Sequence, residues 1–180
     1  MKIILATPLY PPEISESARY VKELAKRLIK RHEITVVAYA HLPENVPGVR
    51  IISVNKRRPL PFRLVAYTLA LWRAARAGDV IYAENGASVE LPAGLVALIT
   101  RRPLIFHMGD KNAEMRASEN KLLGFVGSLA MRHAQRIITD MPVKRPIIWP
   151  FEPFPKTKFN EYDKSWDEHT KTLEEIFKRV

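Results

Sequence analysis

With 180 residues, 47% of them apolar and 27% charged, the chain is long enough to bury a proper core and is most simply a single domain. Its 29 Lys and Arg against 19 Asp and Glu leave a net charge of +10; the last thirty residues hold 6 basic and 7 acidic side chains, so the excess sits on residues 1 to 150. The absence of cysteine excludes disulfides, thiol nucleophiles and cysteine-ligated metal sites.

Taken in chain order, Ile3 to Thr7 reads as a buried strand. The apolar run Ile3 to Ala6 is too short for a signal peptide or a membrane span and soon meets Pro11 and Pro12. No later stretch would cross a bilayer either, and the expectation is a cytoplasmic protein. Ala18, Val21, Leu24, Ala25 and Leu28 follow helical spacing, and Ile34 to Tyr39 and Arg50 to Val54 are β-branched runs. Phe62 to Ala77 is a Leu- and Ala-rich helix, followed by a strand at Val80 to Ala83 and a helix at Ala87 to Thr100. Leu104 to His107 and Arg136 to Thr139 complete a working count of six strands, with a helix at Leu122 to Gln135 between them.

Continuously apolar strands alternating with helices imply an α/β fold, a doubly wound Rossmann-like parallel sheet buried on both faces. The prolines at 142, 146, 150, 153 and 155 mark an extended connector over 142 to 164. Ser165 and Glu168 form a capping box, and Trp166, Leu173, Ile176, Phe177 and Val180 share a face, so a terminal helix is expected over 165 to 180. A helix that short is marginal alone, so its apolar stripe should pack back on the domain of residues 1 to 141.

Ligands of open parallel sheets bind at the carboxyl ends of the strands. The loops there carry Thr7 to Ser17, Glu84-Asn85-Gly86, His107-Met108-Gly109-Asp110-Lys111 and Asp140. No phosphate-binding Gly-x4-Gly-Lys loop, Gly-x-Gly-x-x-Gly turn or Gly-x-Ser-x-Gly elbow occurs, and the five histidines show no metal-ligand spacing. No cofactor and no metal are expected.

The opening is more specific. Thr7-Pro8-Leu9-Tyr10-Pro11-Pro12-Glu13, then Ala18-Arg19-Tyr20-Val21, Leu24-Ala25-Lys26-Arg27-Leu28 and His32-Glu33-Ile34-Thr35-Val36-Val37, resembles the start of family 4 glycosyltransferases. Val80-Ile81-Tyr82-Ala83, Leu91-Pro92-Ala93 and Pro103-Leu104-Ile105-Phe106-His107 add weaker matches over residues 1 to 140, and the terminal helix is similar to the family's closing helix.

The resemblance implies a GT-B fold, in which an amino-terminal Rossmann-like lobe binds the acceptor and a second lobe binds the nucleotide sugar for a retaining, metal-free hexosyl transfer. This chain would then be the acceptor half-domain without its donor lobe, inactive alone. The resemblance puts His107 in the cleft beside the transferred sugar, where imidazole can hydrogen-bond a hydroxyl; a histidine packed at a strand end is the plainer reading. Asp110 and Lys111, with Glu84 and Asn85, are candidates for acceptor hydroxyls, although a solvated turn or cap also explains them.

Two departures stand out. Ser15 and Glu16 replace the Gly-Gly pair whose amides approach a donor diphosphate, leaving a degenerate phosphate loop with a repelling carboxylate. Arg31 runs into His32 where a helix-ending glycine is normal.

The stretch Lys56 to Arg76 contains no acidic residue, and its helix is apolar on two sides. Either both sides are buried, or Arg57, Arg58, Arg63, Trp72, Arg73 and Arg76 form a patch for an anionic membrane, peripheral at the inner face. Nucleic acid is disfavoured because no recognition motif accompanies the charge. Three classes stay open: a transferase component with its donor lobe on a partner chain, a module binding a sugar or lipid-linked acceptor or a membrane, and an engineered or truncated domain without activity.

Overall fold

A computed structural model of the chain describes residues 1–109, 125, 128, 131–139, 146–148 and 159–180. Seven strands, β1 (Lys2–Thr7), β2 (Glu33–Tyr39), β3 (Arg50–Val54), β4 (Val80–Glu84), β5 (Leu104–Met108), β6 (Arg136–Thr139) and β7 (Pro146–Ile148), form one sheet in the order β3-β2-β1-β4-β5-β6-β7. Every pairing is parallel. The helices are α1 (Glu16–Leu28), α2 (Leu60–Ala77), α3 (Ala87–Thr100) and α4 (Phe159–Lys178).

The six expected strands are present. The seventh falls within the proline-marked stretch, with Pro146 as its first residue, a position where the missing N–H is tolerated. Half of the expected helix at Leu122 to Gln135, and the rest of the connector up to residue 158, lie outside the described residues.

Successive side chains of a strand point to opposite faces, so both faces of β1 are apolar. Ile3 and Leu5 join Val21, Leu24 and Leu28 of α1 and Trp166, Leu173 and Phe177 of α4 in one core cluster. Ile4 and Ala6 join Tyr67, Leu71 and Ala75 of α2 and Val89, Ala93 and Val96 of α3 in the other. Two layers of helices thus sandwich the sheet, α1 with α4 on one side and α2 with α3 on the other.

Helix α4 begins at Phe159, not at Ser165 where the capping box points. The reason lies in Arg27 of α1, whose guanidinium donates to Asp163 and to Asp167. Two carboxylates four residues apart share a face only if the chain is already helical at residue 163. Ser165 therefore sits inside the helix and does not cap it.

The anchoring continues along α4. Arg31 Nη1 donates to Glu174 Oε2 at 2.9 Å, and His32 Nε2 lies 3.1 Å from the other oxygen. The residues that displace the expected helix-ending glycine are thus ties to α4. Trp166 is fully buried, with Arg27 Cζ 5.7 Å from its ring centre.

Removing so large a buried side chain costs its transfer free energy plus the cavity left behind, so Trp166→Ala should destabilise the domain by about 3–5 kcal/mol. Urea unfolding followed by circular dichroism measures this; an unchanged midpoint would show that α4 contributes nothing to the core.

Candidate functional site

The strand order reverses between β1 and β4, and the carboxyl ends of these strands and of β5 form the crevice where such sheets bind ligands. Register does the first part of the assembly. Glu84 is paired with His107 across the β4–β5 ladder, so their side chains emerge side by side on one face.

Glu84 is 3% exposed. Its Oε2 accepts from the Ser17 hydroxyl at 2.8 Å and lies 2.8 Å from that of Thr7, whose one proton is shared with the Leu9 carbonyl, also at 2.8 Å; its Oε1 faces Nδ1 of His107 at 3.8 Å. Burying a carboxylate is costly unless donors surround it, and these hydroxyls meet part of that need. Ser17 reaches it because α1 starts at Glu16, with Ser15 as N-cap accepting from Ala18 N–H at 3.0 Å.

His107 is wedged between rings and backbone. Tyr20 lies 5.0 Å and Tyr82 5.8 Å away, centre to centre. On the chain side a Cβ on Gly109 would stand 2.7 Å from His107 Cε1, so residue 109 has room only for glycine. His107 Nδ1 is buried without a hydrogen bond to the described residues, while the side chain as a whole keeps 17% exposure.

Behind this layer, Tyr20 Oη lies 2.8 Å from Tyr82 Oη and 2.8 Å from Nε2 of His169 on α4. Burial pushes both tyrosine hydroxyls far up, so they act as neutral partners. It also pushes the His169 imidazole down to about 3, with His107 adding to the effect.

The family is decided by a comparison of sequences: a model described as a glycosyl transferase 4-like domain matches residues 16–145, well over half of the chain. The chain belongs to the glycosyl transferase 4-like family. Among solved structures, it resembles Anabaena Alr3699/HepE in complex with UDP, with a TM-score of 0.55 and 22% identity over 78% of this chain and 38% of that one. A putative UDP-N-acetylglucosamine 2-epimerase from Listeria monocytogenes gives a TM-score of 0.52 and 14% identity over 77% and 38% of the two chains. These likenesses establish the GT-B half-domain fold, and the chain spans less than two fifths of either structure. No curated protein sequence matches.

Within this glycosyl transferase 4-like domain the expected site residues are distributed unevenly. His107 and Glu84 come together. Asn85 stands beside them, 3% exposed, its backbone N–H on the His107 carbonyl. Asp110, Lys111 and Asp140 lie outside the described residues.

Ser15 spends its hydroxyl on α1's own first turn, and Glu16 is that helix's first residue. The start of α3 is likewise occupied, since Gly86 N–H donates to Glu90 Oε1 at 2.9 Å. Sequence reasoning missed Tyr20, Tyr82 and His169 as neighbours of the site. One signal was available: His169 interrupts the apolar stripe of α4, three residues after Trp166 and four before Leu173.

The basic stretch is also divided. Phe62, Val65, Leu69, Arg73 and Arg76 follow one another at three- and four-residue steps and are all exposed, as are Leu60, Arg57 and Arg58. The second apolar side of α2 is therefore not buried. Arg63 turns inward instead, Nη1 donating to the Lys56 carbonyl and the guanidinium lying 5.9 Å from the Tyr39 ring. Trp72 packs partly on the core beneath Arg76, whose Cζ is 5.0 Å from its ring centre.

The depressed His169 has a consequence for stability. The unfolded chain takes a proton at about pH 6.5, the ordinary histidine value; the folded chain resists it until about 3. The folded state therefore gains its full contribution above the unfolded value and loses it as pH falls through that window, at ~1.4 kcal/mol per unit of separation. Chemical denaturation should show His169→Gln losing less stability than the parent between neutral pH and pH ~4; parallel losses would exclude the effect.

Proposed function

We propose that this domain is the acceptor-side lobe of a glycosyl-transferring enzyme, taking a hydroxyl-bearing acceptor at the carboxyl ends of β1, β4 and β5. The observation that carries the reading is the buried Glu84 carboxylate beside His107 in the crevice at the strand reversal. Such a site offers an imidazole to a hydroxyl and repels a diphosphate. One amide at each neighbouring helix start is engaged already, Ala18 N–H by Ser15 at α1 and Gly86 N–H by Glu90 at α3.

In the transfer itself the acceptor hydroxyl attacks the anomeric carbon of the sugar while the bond to the nucleoside diphosphate breaks, and the hydroxyl proton leaves with the departing diphosphate. On this reading the domain orients the hydroxyl, and a second lobe or partner chain holds the donor. The chain by itself is therefore expected to show no micromolar binding of UDP- or GDP-sugars in isothermal titration. Micromolar binding that disappears in His107→Ala would overturn the division of labour.

A second surface bears on the acceptor. The exposed stripe of α2 begins with Leu60 and Phe62, next to the carboxyl edge of the sheet, and continues through Val65 and Leu69 to Arg73 and Arg76. Apolar side chains flanked by arginines suit a leaflet with anionic headgroups, and so a lipid-linked acceptor. Among the described residues no helix is long and apolar enough to cross a membrane, so the contact proposed is peripheral.

Sedimentation with anionic vesicles should weaken as salt rises, because exposed charges are screened over about 10 Å at 0.1 M. Combined Arg57→Gln, Arg58→Gln, Arg73→Gln and Arg76→Gln should abolish it. A variant that sediments like the parent would remove the membrane from the reading.

A further inference from the structure

We propose that Glu84 is a positioning residue that holds His107 as the tautomer protonated on Nδ1, so that Nε2 presents a lone pair to the crevice. The consequence for specificity, which rests on the transferase reading above, is that His107 recognises a hydrogen-bond donor: the acceptor hydroxyl that is to react.

The argument starts from the hydroxyls. Thr7 and Ser17 both point at Oε2 of Glu84, which leaves Oε1 opposite Nδ1 at 3.8 Å. A carboxylate oxygen only accepts, so a lone pair on Nδ1 would face negative charge across that gap, whereas an N–H dipole is attracted. Nδ1 has no other hydrogen-bond partner among the described residues, and it is shielded from solvent. Ring rotation offers no escape, because Tyr20 covers the imidazole and Gly109 abuts Cε1 and Nε2. With the ring held and Nδ1 protonated, Nε2 is the nitrogen left to a ligand.

The proposal is testable by removing the carboxylate. A carboxamide would not serve, because the hydroxyls of Thr7 and Ser17 can also accept from its NH2 and leave its oxygen opposite Nδ1. In Glu84→Leu a side chain of similar bulk offers Nδ1 no acceptor, and the imidazole should revert to the tautomer protonated on Nε2, the form neutral histidine favours in water.

The experiment is a long-range proton–nitrogen correlation spectrum of the imidazole groups in 15N-labelled protein, recorded at a pH well above the ordinary histidine value of about 6.5. For His107 the protonated-type nitrogen signal should be Nδ1 in the parent and Nε2 in Glu84→Leu. A parent protonated on Nε2 overturns the proposal without any variant, even if Glu84→Leu does not fold. A folded Glu84→Leu that keeps the parent tautomer overturns it equally. The spectrum is read without sugar or nucleotide, so its failure is separate from that of the transferase reading, which the titration decides.

Discussion

An all-parallel sheet has no face it can leave to water, and the placing of the helices in this domain follows from that constraint. Among the described helices, the connections between parallel strands supply α1 on one side and α2 with α3 on the other. Helix α4 adds Trp166, Leu173, Ile176 and Phe177 on the side of α1, all within the cluster that contains Ile3 and Leu5 of the central strand. The helix is thus part of the core, and the charged residues around it set its position. Arg27 against Asp163 and Asp167, and Arg31 and His32 against Glu174, fix its rotation and register on α1.

Because α4 lies where it does, the chemistry at the strand ends acquires a second layer. Glu84, Thr7, Ser17 and His107 come from the first turn of α1 and three neighbouring strands. Tyr20 and Tyr82 lie beneath them, and His169 of α4 closes the back. Glu84, Thr7, Tyr20, Tyr82 and His169 are polar yet buried, and hydrogen bonds among their side chains are the condition for keeping them out of water. One part of the domain departs from this economy. The outer stripe of α2 leaves Phe62, Val65 and Leu69 in solvent, an arrangement that burial alone does not explain.

Much of the fold was legible because parallel strands are short, continuously apolar and β-branched, as Ile3 to Thr7 and Ile34 to Val37 are. The start of α4 was not, since Ser165 and Glu168 imitate a cap while the partner that extends the helix, Arg27, stands 136 residues before Asp163. His107 and Glu84 could be found because they end strands at the ligand-binding edge. Their pairing could not, because it depends on the register of two strands with a helix between them. The contact of His169 with Tyr20 spans 149 residues, and no local pattern encodes it. The exposure of α2's second side was hidden for a related reason: a helix apolar all round reads the same whether a neighbour covers it or not.

The stitching of α1 to α4 joins segments far apart in the chain, and this has a bearing on how the domain is made. Contacts across so many residues form only after a long loop has closed, at an entropic cost that local helices and adjacent strands do not face. On the ribosome α1, β1 and β4 emerge well before α4. The crevice at the strand ends therefore waits, with Tyr20 and Tyr82 unbacked, until α4 has been synthesised and docks. A nascent chain carries His107 and Glu84 early, but the support behind them arrives only with Trp166 and His169, so completion of the site follows translation of α4.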